Sequence, residues 1–336
     1  MRKNYSYLNA LNMAVAEAMA TDERVYLLGE DILDPYGGAF RVTAGLSTRF
    51  PERVIGTPIS EACITGIGVG MAVRGLLPVI EIMFGDFLPI ASDQIVNHAA
   101  KFRQMYKDKV SVPMVIRTPM GGGRGYGPTH SQSLEKMFLG TPGLNVVSPS
   151  IFHDVKGMFC FAILEDKDPT LFIEHKLLYP LQLQFGDDEL CVEYIASTAG
   201  YPIASVKNFN HGATDITVIS YGGTSRILDE VMREMKNEEI RINAFFPSLI
   251  SGGIDRCIVE SVKASQKVII IEEGAGFFGW SAEMASQVYE KAGTNLKKPV
   301  RRIQASDSII PASRELEHMI LPNRVCIERA IEEILS

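Results

Sequence analysis

Thr57-Pro58-Ile59-Ser60-Glu61 runs directly into Ala62-Cys63-Ile64-Thr65-Gly66-Ile67-Gly68-Val69-Gly70-Met71-Ala72-Val73. Pro58 and Ser60 read as a turn that delivers one carboxylate, Glu61, to the mouth of a segment whose only polar side chain is Thr65. Gly66, Gly68, Gly70 and Ala72 carry little side chain, so another backbone or a flat ligand can approach closely. A carboxylate at such a mouth faces desolvation, which disfavours its charged form, and groups of that kind gather at functional sites. A plainer reading has Ser60 as N-cap and Glu61 in the first turn of a buried helix. Both readings start a helix at Glu61.

Outward from that helix the chain alternates. Leu8, Leu11, Val15, Ala18 and Met19 recur at helical spacing over residues 7–20. Val25-Tyr26-Leu27-Leu28-Gly29 reads as a buried strand, with Glu30 and Asp31 just past its C-terminal end, where open α/β sheets bind ligands. After the Glu61 helix the pattern predicts a strand at 77–83, a helix at 93–105 and a strand at 112–118. A glycine-rich loop, a helix from about Ser131, and strands near 144–147 and 171–174 follow. Such alternation implies a parallel sheet covered on both faces. Pro180, Gly186 and Pro202 then punctuate a stretch of fading periodicity. This places a first domain over 1–190, a linker at 191–206, and a smaller α/β domain over 207–336. In that second domain, strands near 216–220, 240–245, 268–271 and 300–304 alternate with helices near 225–235, 255–264 and 281–291.

Composition narrows the class. With 46% hydrophobic and 22% charged residues, the 336-residue chain reads as a soluble globular protein too long for one ordinary core. A formal net charge of −7, with no Lys/Arg block, argues against a nucleic-acid surface. Cys63, Cys160, Cys191, Cys257 and Cys326 are odd in number, widely spaced and without a CxxC pair. They read as reduced thiols of a cytoplasmic or matrix-like compartment, not as disulfides or a zinc site. Met1-Arg2-Lys3-Asn4-Tyr5 leads into no apolar region of signal-peptide type, and no apolar run reaches the length of a membrane span.

Three further segments invite a chemical reading. Phe84-Gly85-Asp86-Phe87 closes a strand with two aromatics and a carboxylate; core phenylalanines at a strand end are the bland alternative. Gly121-Gly122-Gly123-Arg124-Gly125-Tyr126-Gly127-Pro128-Thr129-His130 is a loop open to close ligand approach. Thr129 and Gln132 have capping-box spacing, which predicts His130 at a helix N-terminus, a setting that favours the neutral imidazole. The remaining histidines show no metal-ligand spacing. Gly66-x-Gly68-x-Gly70 is not the dinucleotide fingerprint.

The Thr57–Ala62 motif with its glycine-rich helix resembles the β subunit of the thiamine diphosphate-dependent decarboxylating component of 2-oxo acid dehydrogenase complexes, in the transketolase-like superfamily. Gly29-Glu30-Asp31, Tyr36–Arg41, Phe84–Phe87, Asp93–Asn97, His130–Ser133 and Pro142-Gly143-Leu144 follow in that family's order. The likeness covers nearly the whole chain and is densest through about residue 180.

The resemblance implies an α/β fold: a parallel-sheet pyrimidine-binding domain followed by a smaller α/β C-terminal domain. It assigns Glu61 the carboxyl group that hydrogen-bonds the cofactor's aminopyrimidine, so that the ring can take up the thiazolium proton. It puts Glu30, Ile59, Phe84 and Phe87 at the cofactor, with Phe87 the first choice for packing on the ring. It places His130 on the active-site channel, where the 2-oxo acid or the lipoyl acceptor is handled. The Gly-Asp-Gly motif and downstream Asn that hold Mg²⁺ and the diphosphate are missing; Gly186-Asp187-Asp188-Glu189 lacks the second glycine. The resemblance therefore implies an α subunit supplying them, an α2β2 assembly, a lipoylated acyltransferase core as partner, and a 2-oxo acid such as pyruvate as substrate. Two other readings stay open: a two-subunit thiamine-dependent ketol or acyl transferase, and a non-catalytic scaffold subunit.

Overall fold

The structure, a computed structural model, describes residues 5–197 and 199–336; the Met1–Asn4 part of the N-terminal reading lies outside them. The chain forms two compact units. The first comprises Met1–Met120, Met137–Val147 and Asp154–Gln182, and the second Gly121–Lys136, Ser148–His153 and Leu183–Ser336.

In the first unit, helix α1 (Tyr7–Thr21) starts at Ser6, whose hydroxyl accepts the Asn9 N–H, and buries the stripe from Tyr7 through Leu11, Val15 and Met19. Strand β1 (Val25–Gly29) is followed by a long loop, the short helix α2 (Leu46–Arg49) and strand β2 (Val54–Gly56). Helix α3 (Glu61–Val73) then leads to β3 (Leu77–Glu81). The helix predicted at 93–105 begins earlier. It runs as α4 (Leu88–Asp93), a π-helical turn (Gln94–Ala99) and α5 (Ala100–Met105), with a proline in its first turn. Strand β4 (Val115–Met120), β5 (Asn145–Val147), helix α6 (Val155–Leu164) and β6 (Thr170–His175) complete the unit. Among the described residues the sheet has six strands, all parallel, in the order β2-β1-β3-β4-β6-β5. The order reverses beside β1, so the β1/β3 C-terminal ends form the crevice where doubly wound sheets bind ligands.

Pro142-Gly143-Leu144 proves to be a packing motif. Gly143 has φ 82°, and a Cβ there would sit 2.2 Å from the Ala100 carbonyl oxygen. Gly143→Ala therefore combines a left-handed backbone with a clash against main chain. A loss of about 1–3 kcal/mol is expected, read as a lowered urea midpoint at unchanged slope.

In the second unit, β7 (Cys191–Ile195) and β8 (Ile203–Lys207) occupy the stretch expected as a linker. They form an antiparallel pair, and β8 continues antiparallel onto β10 (Ile242–Pro247). The reason the stretch reads as loop is that β7 is an edge strand with no buried residue, while Gly200 and Pro202 mark the turn of a hairpin. Strands β9 (Ile216–Ile219), β11 (Val268–Ala275) and β12 (Arg301–Ala305) lie parallel to β10, giving the order β12-β11-β9-β10-β8-β7 among the described residues. Helices α7 (Ser225–Asn237), α8 (Arg256–Ser265) and α9 (Trp280–Ala292) match the predicted ones. Helices α10 (Arg314–Ile320) and α11 (Arg324–Leu335) end the chain. Among the described residues, no helix is long and apolar enough to cross a membrane.

Candidate active site

Glu61 is the first residue of α3 and is 8% exposed. Ser60 stands at the N-cap position, but its hydroxyl makes no capping bond. The turn before it leaves Ile59 exposed to 74%. Glu30 follows β1 directly, and its carboxyl is pushed up, first by burial and then by the charges of Asp31 and Glu61. Glu30 and Glu61 are thus electrostatic neighbours, although 31 positions apart in the chain. Phe84 and Phe87 follow β3, half-buried, with ring centroids 5.9 Å apart and planes at 73°. Phe40, from the loop after β1, meets Phe84 edge-on at 5.6 Å, and the Lys176 ammonium lies 5.3 Å from the Phe84 ring centre. The first unit therefore brings Glu30, Ile59, Glu61, Phe84 and Phe87 to the C-terminal ends of β1, β2 and β3.

Directly beneath lies a charge network absent from the sequence reading. Arg117 of β4 is 1% exposed and donates to Glu81 at the end of β3 and, through two nitrogens, to Glu174 of β6. The Tyr179 hydroxyl donates to Glu174 at 2.7 Å. Burial pushes Glu81 up, the Arg117 charge opposing it. The available signal is one Glu or Arg in each of three strands that are mostly apolar, Glu81 in β3, Arg117 in β4 and Glu174 in β6.

The donor set at these strand ends fits one part of a thiamine cofactor. An aminopyrimidine offers N–H groups, ring nitrogens and a flat apolar face, which a carboxyl beside aromatic rings can match. A diphosphate asks for cations or converging backbone N–H groups, and a site of paired carboxylates repels it. In the second unit, Asp187 and Glu189 of the Gly186–Glu189 segment are both paired with Arg233, which also reaches Asp229. Among the described residues no cluster of His, Cys, Asp or Glu is gathered to hold a metal.

His130 belongs to the second unit and is half-buried, its Nδ1 3.1 Å from the Thr129 hydroxyl. The predicted helix from Ser131 is not there: the loop runs on to a single 3₁₀ turn at Glu135–Met137. The Thr129/Gln132 spacing is therefore no capping box. The Gln132 carbonyl instead accepts the Gly121 N–H, closing the loop on itself. His130 consequently has no helix dipole behind it.

The 3₁₀ turn anchors the loop through Glu135, 3% exposed, which accepts the Tyr221 hydroxyl. Burial pushes this carboxyl up to about 7, against the Tyr221 hydrogen bond and with the Glu272 and Glu273 charges adding to it. In an unfolded chain it titrates near 4.5, so between these values the folded form keeps a proton that the unfolded form releases. Its stabilising contribution is full below about 4.5 and is lost as pH rises through about 7. Glu135→Gln is expected to flatten that slope and to raise stability at pH 8 by roughly 3 kcal/mol at most, visible as melting temperatures at pH 5 and pH 8 that converge.

The comparisons with known proteins agree over both units. The transketolase pyrimidine-binding domain matches residues 3–182 and the transketolase C-terminal domain matches 207–327. The pyruvate dehydrogenase E1 component subunit beta of Acholeplasma laidlawii is 36% identical over 320 residues, covering 95% of this chain and 94% of its own. The 2-oxoisovalerate dehydrogenase subunit beta of Bacillus subtilis is 34% identical, covering 98% of each chain. The acetoin:2,6-dichlorophenolindophenol oxidoreductase subunit beta of Cupriavidus necator is 30% identical, covering 100% of this chain and 99% of its own. A solved split-gene transketolase, described as an inactive beta4 tetramer, shares the fold with TM-score 0.71, 18% identity and 97% coverage of both chains.

Proposed function

The chain belongs to the β subunits of thiamine diphosphate-dependent 2-oxo acid dehydrogenases, built from transketolase-type domains, and on that premise we propose that Glu61 serves the cofactor's aminopyrimidine in a site shared with an α subunit. The observation that carries the assignment is a mostly buried carboxyl at the head of α3, set at the strand ends beside Glu30. Thiamine diphosphate, when bound, supplies the nucleophilic carbon and the electron sink for decarboxylation. The work of this chain is then to bind, orient and hold protons. Glu61 holds a proton at its carboxyl oxygen against a pyrimidine nitrogen, a task suited to a partly desolvated carboxyl. Glu30 stands next to it, its own carboxyl pushed up by burial and then by the charges of Asp31 and Glu61. Phe87, with Phe84 behind it, offers the flat wall, and Ile59 is an exposed apolar contact for the cofactor or the partner chain. His130 handles the 2-oxo acid or the lipoyl thiols at the channel. The α subunit brings Mg²⁺ and the diphosphate contacts, and we assign the pair an α2β2 arrangement that docks on a lipoylated acyltransferase core.

The substrate we assign is a small 2-oxo acid, pyruvate first. The test is reconstitution with the partner subunit, followed by parallel assays. One measures reductive acetylation of a lipoyl domain from pyruvate; the other measures two-carbon transfer from a ketose phosphate to an aldose phosphate. Lipoyl acetylation without ketose activity is expected. Ketose transfer without lipoyl acetylation would replace the reading by that of a two-subunit ketol transferase.

A further inference from the structure

The glycine-rich loop that presents His130 is fastened by two carboxylates from distant parts of the second unit. Glu317, on α10 and 1% exposed, has both oxygens engaged with main chain. Its Oε1 accepts the Gly123 N–H at 2.8 Å and its Oε2 accepts the Gly125 N–H at 2.7 Å. Glu273, on β11, bridges the two legs of the loop, its Oε1 accepting the Gly122 N–H at 2.8 Å and the Ser133 hydroxyl at 3.0 Å. The legs are closed next to it by the Gly121 N–H to the Gln132 carbonyl. The outer leg lies against α10 as well: a Cβ at Gly125 (φ 70°) would meet Arg314 Cγ at 2.8 Å, and Arg314 Nε donates to the Arg124 carbonyl. A loop of this composition would sample many conformations if left alone. Here three of its N–H groups are spent on carboxyl oxygens, those of buried Glu317 and half-buried Glu273, in directional bonds of 2.7–2.8 Å.

We propose that Glu317 and Glu273 are positioning residues for the reaction: they hold the loop 121–133 in one conformation and thereby fix where the His130 imidazole stands. The inference rests on the reading of His130 as a channel residue. The role assigned to both runs through the loop, by bonds to the Gly122, Gly123 and Gly125 N–H groups and to the Ser133 hydroxyl. A carboxylate is required at 317 because both of its oxygens face N–H donors, whereas an amide must turn its NH₂ toward one of them. That makes Glu317→Gln an isosteric change with a specific local fault.

The test is a double-mutant cycle on the assembled enzyme with Glu317→Gln, His130→Ala and the pair, using melting temperature and assembly with the partner subunit as controls. Glu317→Gln is expected to lower kcat/KM by about 10- to 100-fold with assembly intact, the cost of a misplaced group at the reacting site. In the His130→Ala background the same change should cost less than about 2-fold, because there is no imidazole left to misplace. As a second readout, hydrogen exchange at the Gly123 and Gly125 amides should accelerate in Glu317→Gln. Full additivity of the two changes would overturn the inference, as would wild-type kinetics for Glu317→Gln beside a damaged His130→Ala. Wild-type activity of His130→Ala would instead overturn the reading of His130 and, with it, the inference.

Discussion

Glu61→Gln is expected to lower kcat of the assembled enzyme by about 10²- to 10⁴-fold, the range set by loss of a positioned proton-handling group. The substitution keeps the size of the side chain and removes its acidity. Glu61 heads α3 without a capping bond from Ser60, and the helix is held from behind by burial of Ile64, Thr65, Gly68, Val69 and Ala72. The fold should therefore survive, and cofactor affinity should fall far less than turnover. Glu61→Asp retains the acid one methylene short and should lie between the two. Turnover within about 3-fold of wild type for Glu61→Gln would remove the carboxyl from the chemistry and reopen the scaffold reading.

Arg117→Met is expected to cost about 3–5 kcal/mol of stability at neutral pH. The guanidinium is the cation shared by Glu81 and Glu174, which are 5% and 0% exposed. Without it two buried carboxylates face each other, with the Tyr179 hydroxyl left donating to Glu174. The deficit has a pH signature. Burial already pushes Glu81 up, and without Arg117 its folded value rises further above the unfolded one. The variant should thus be near wild type below the unfolded range, about pH 4, and lose ground steadily as pH rises. Urea midpoints between pH 4 and pH 8 measure this directly; a constant small deficit would show that the network carries little energy. Replacing all three charges together should cost much less than the single change, because an apolar cluster of equal volume leaves no stranded ion.

The alternation of strands and helices was legible because most strands in both units are buried runs of apolar residues that stand out locally. The α3 site was legible for the opposite reason: one carboxylate, Glu61, interrupts an apolar context, and its motif is specific. What escaped the sequence depends on distance along the chain. Arg117, Glu81 and Glu174 lie 36 and 57 positions apart and meet only through strand register. In the β7–β8 hairpin, the exposed edge strand β7 shows no buried periodicity, while β8 is a short buried strand whose Ile203-Ala204-Ser205-Val206 run is too weakly apolar to stand out beside Pro202. The loop around His130 was misjudged because Thr129 and Gln132 carry a local capping signal. Tertiary acceptors, Glu273 and Glu317, instead claim the backbone N–H groups of the loop before them. Propensity lost there to anchoring from residues more than a hundred positions away.

The central claim is that this chain supplies the pyrimidine half of a cofactor site completed by another subunit. Calorimetric titration of thiamine diphosphate with Mg²⁺ tests it, first into the isolated chain and then into the chain assembled with its α subunit. The account predicts no saturable heat from the chain alone and tight, saturable binding by the assembly. Tight binding by the isolated chain would contradict it, because the diphosphate and its metal would then have ligands within this chain.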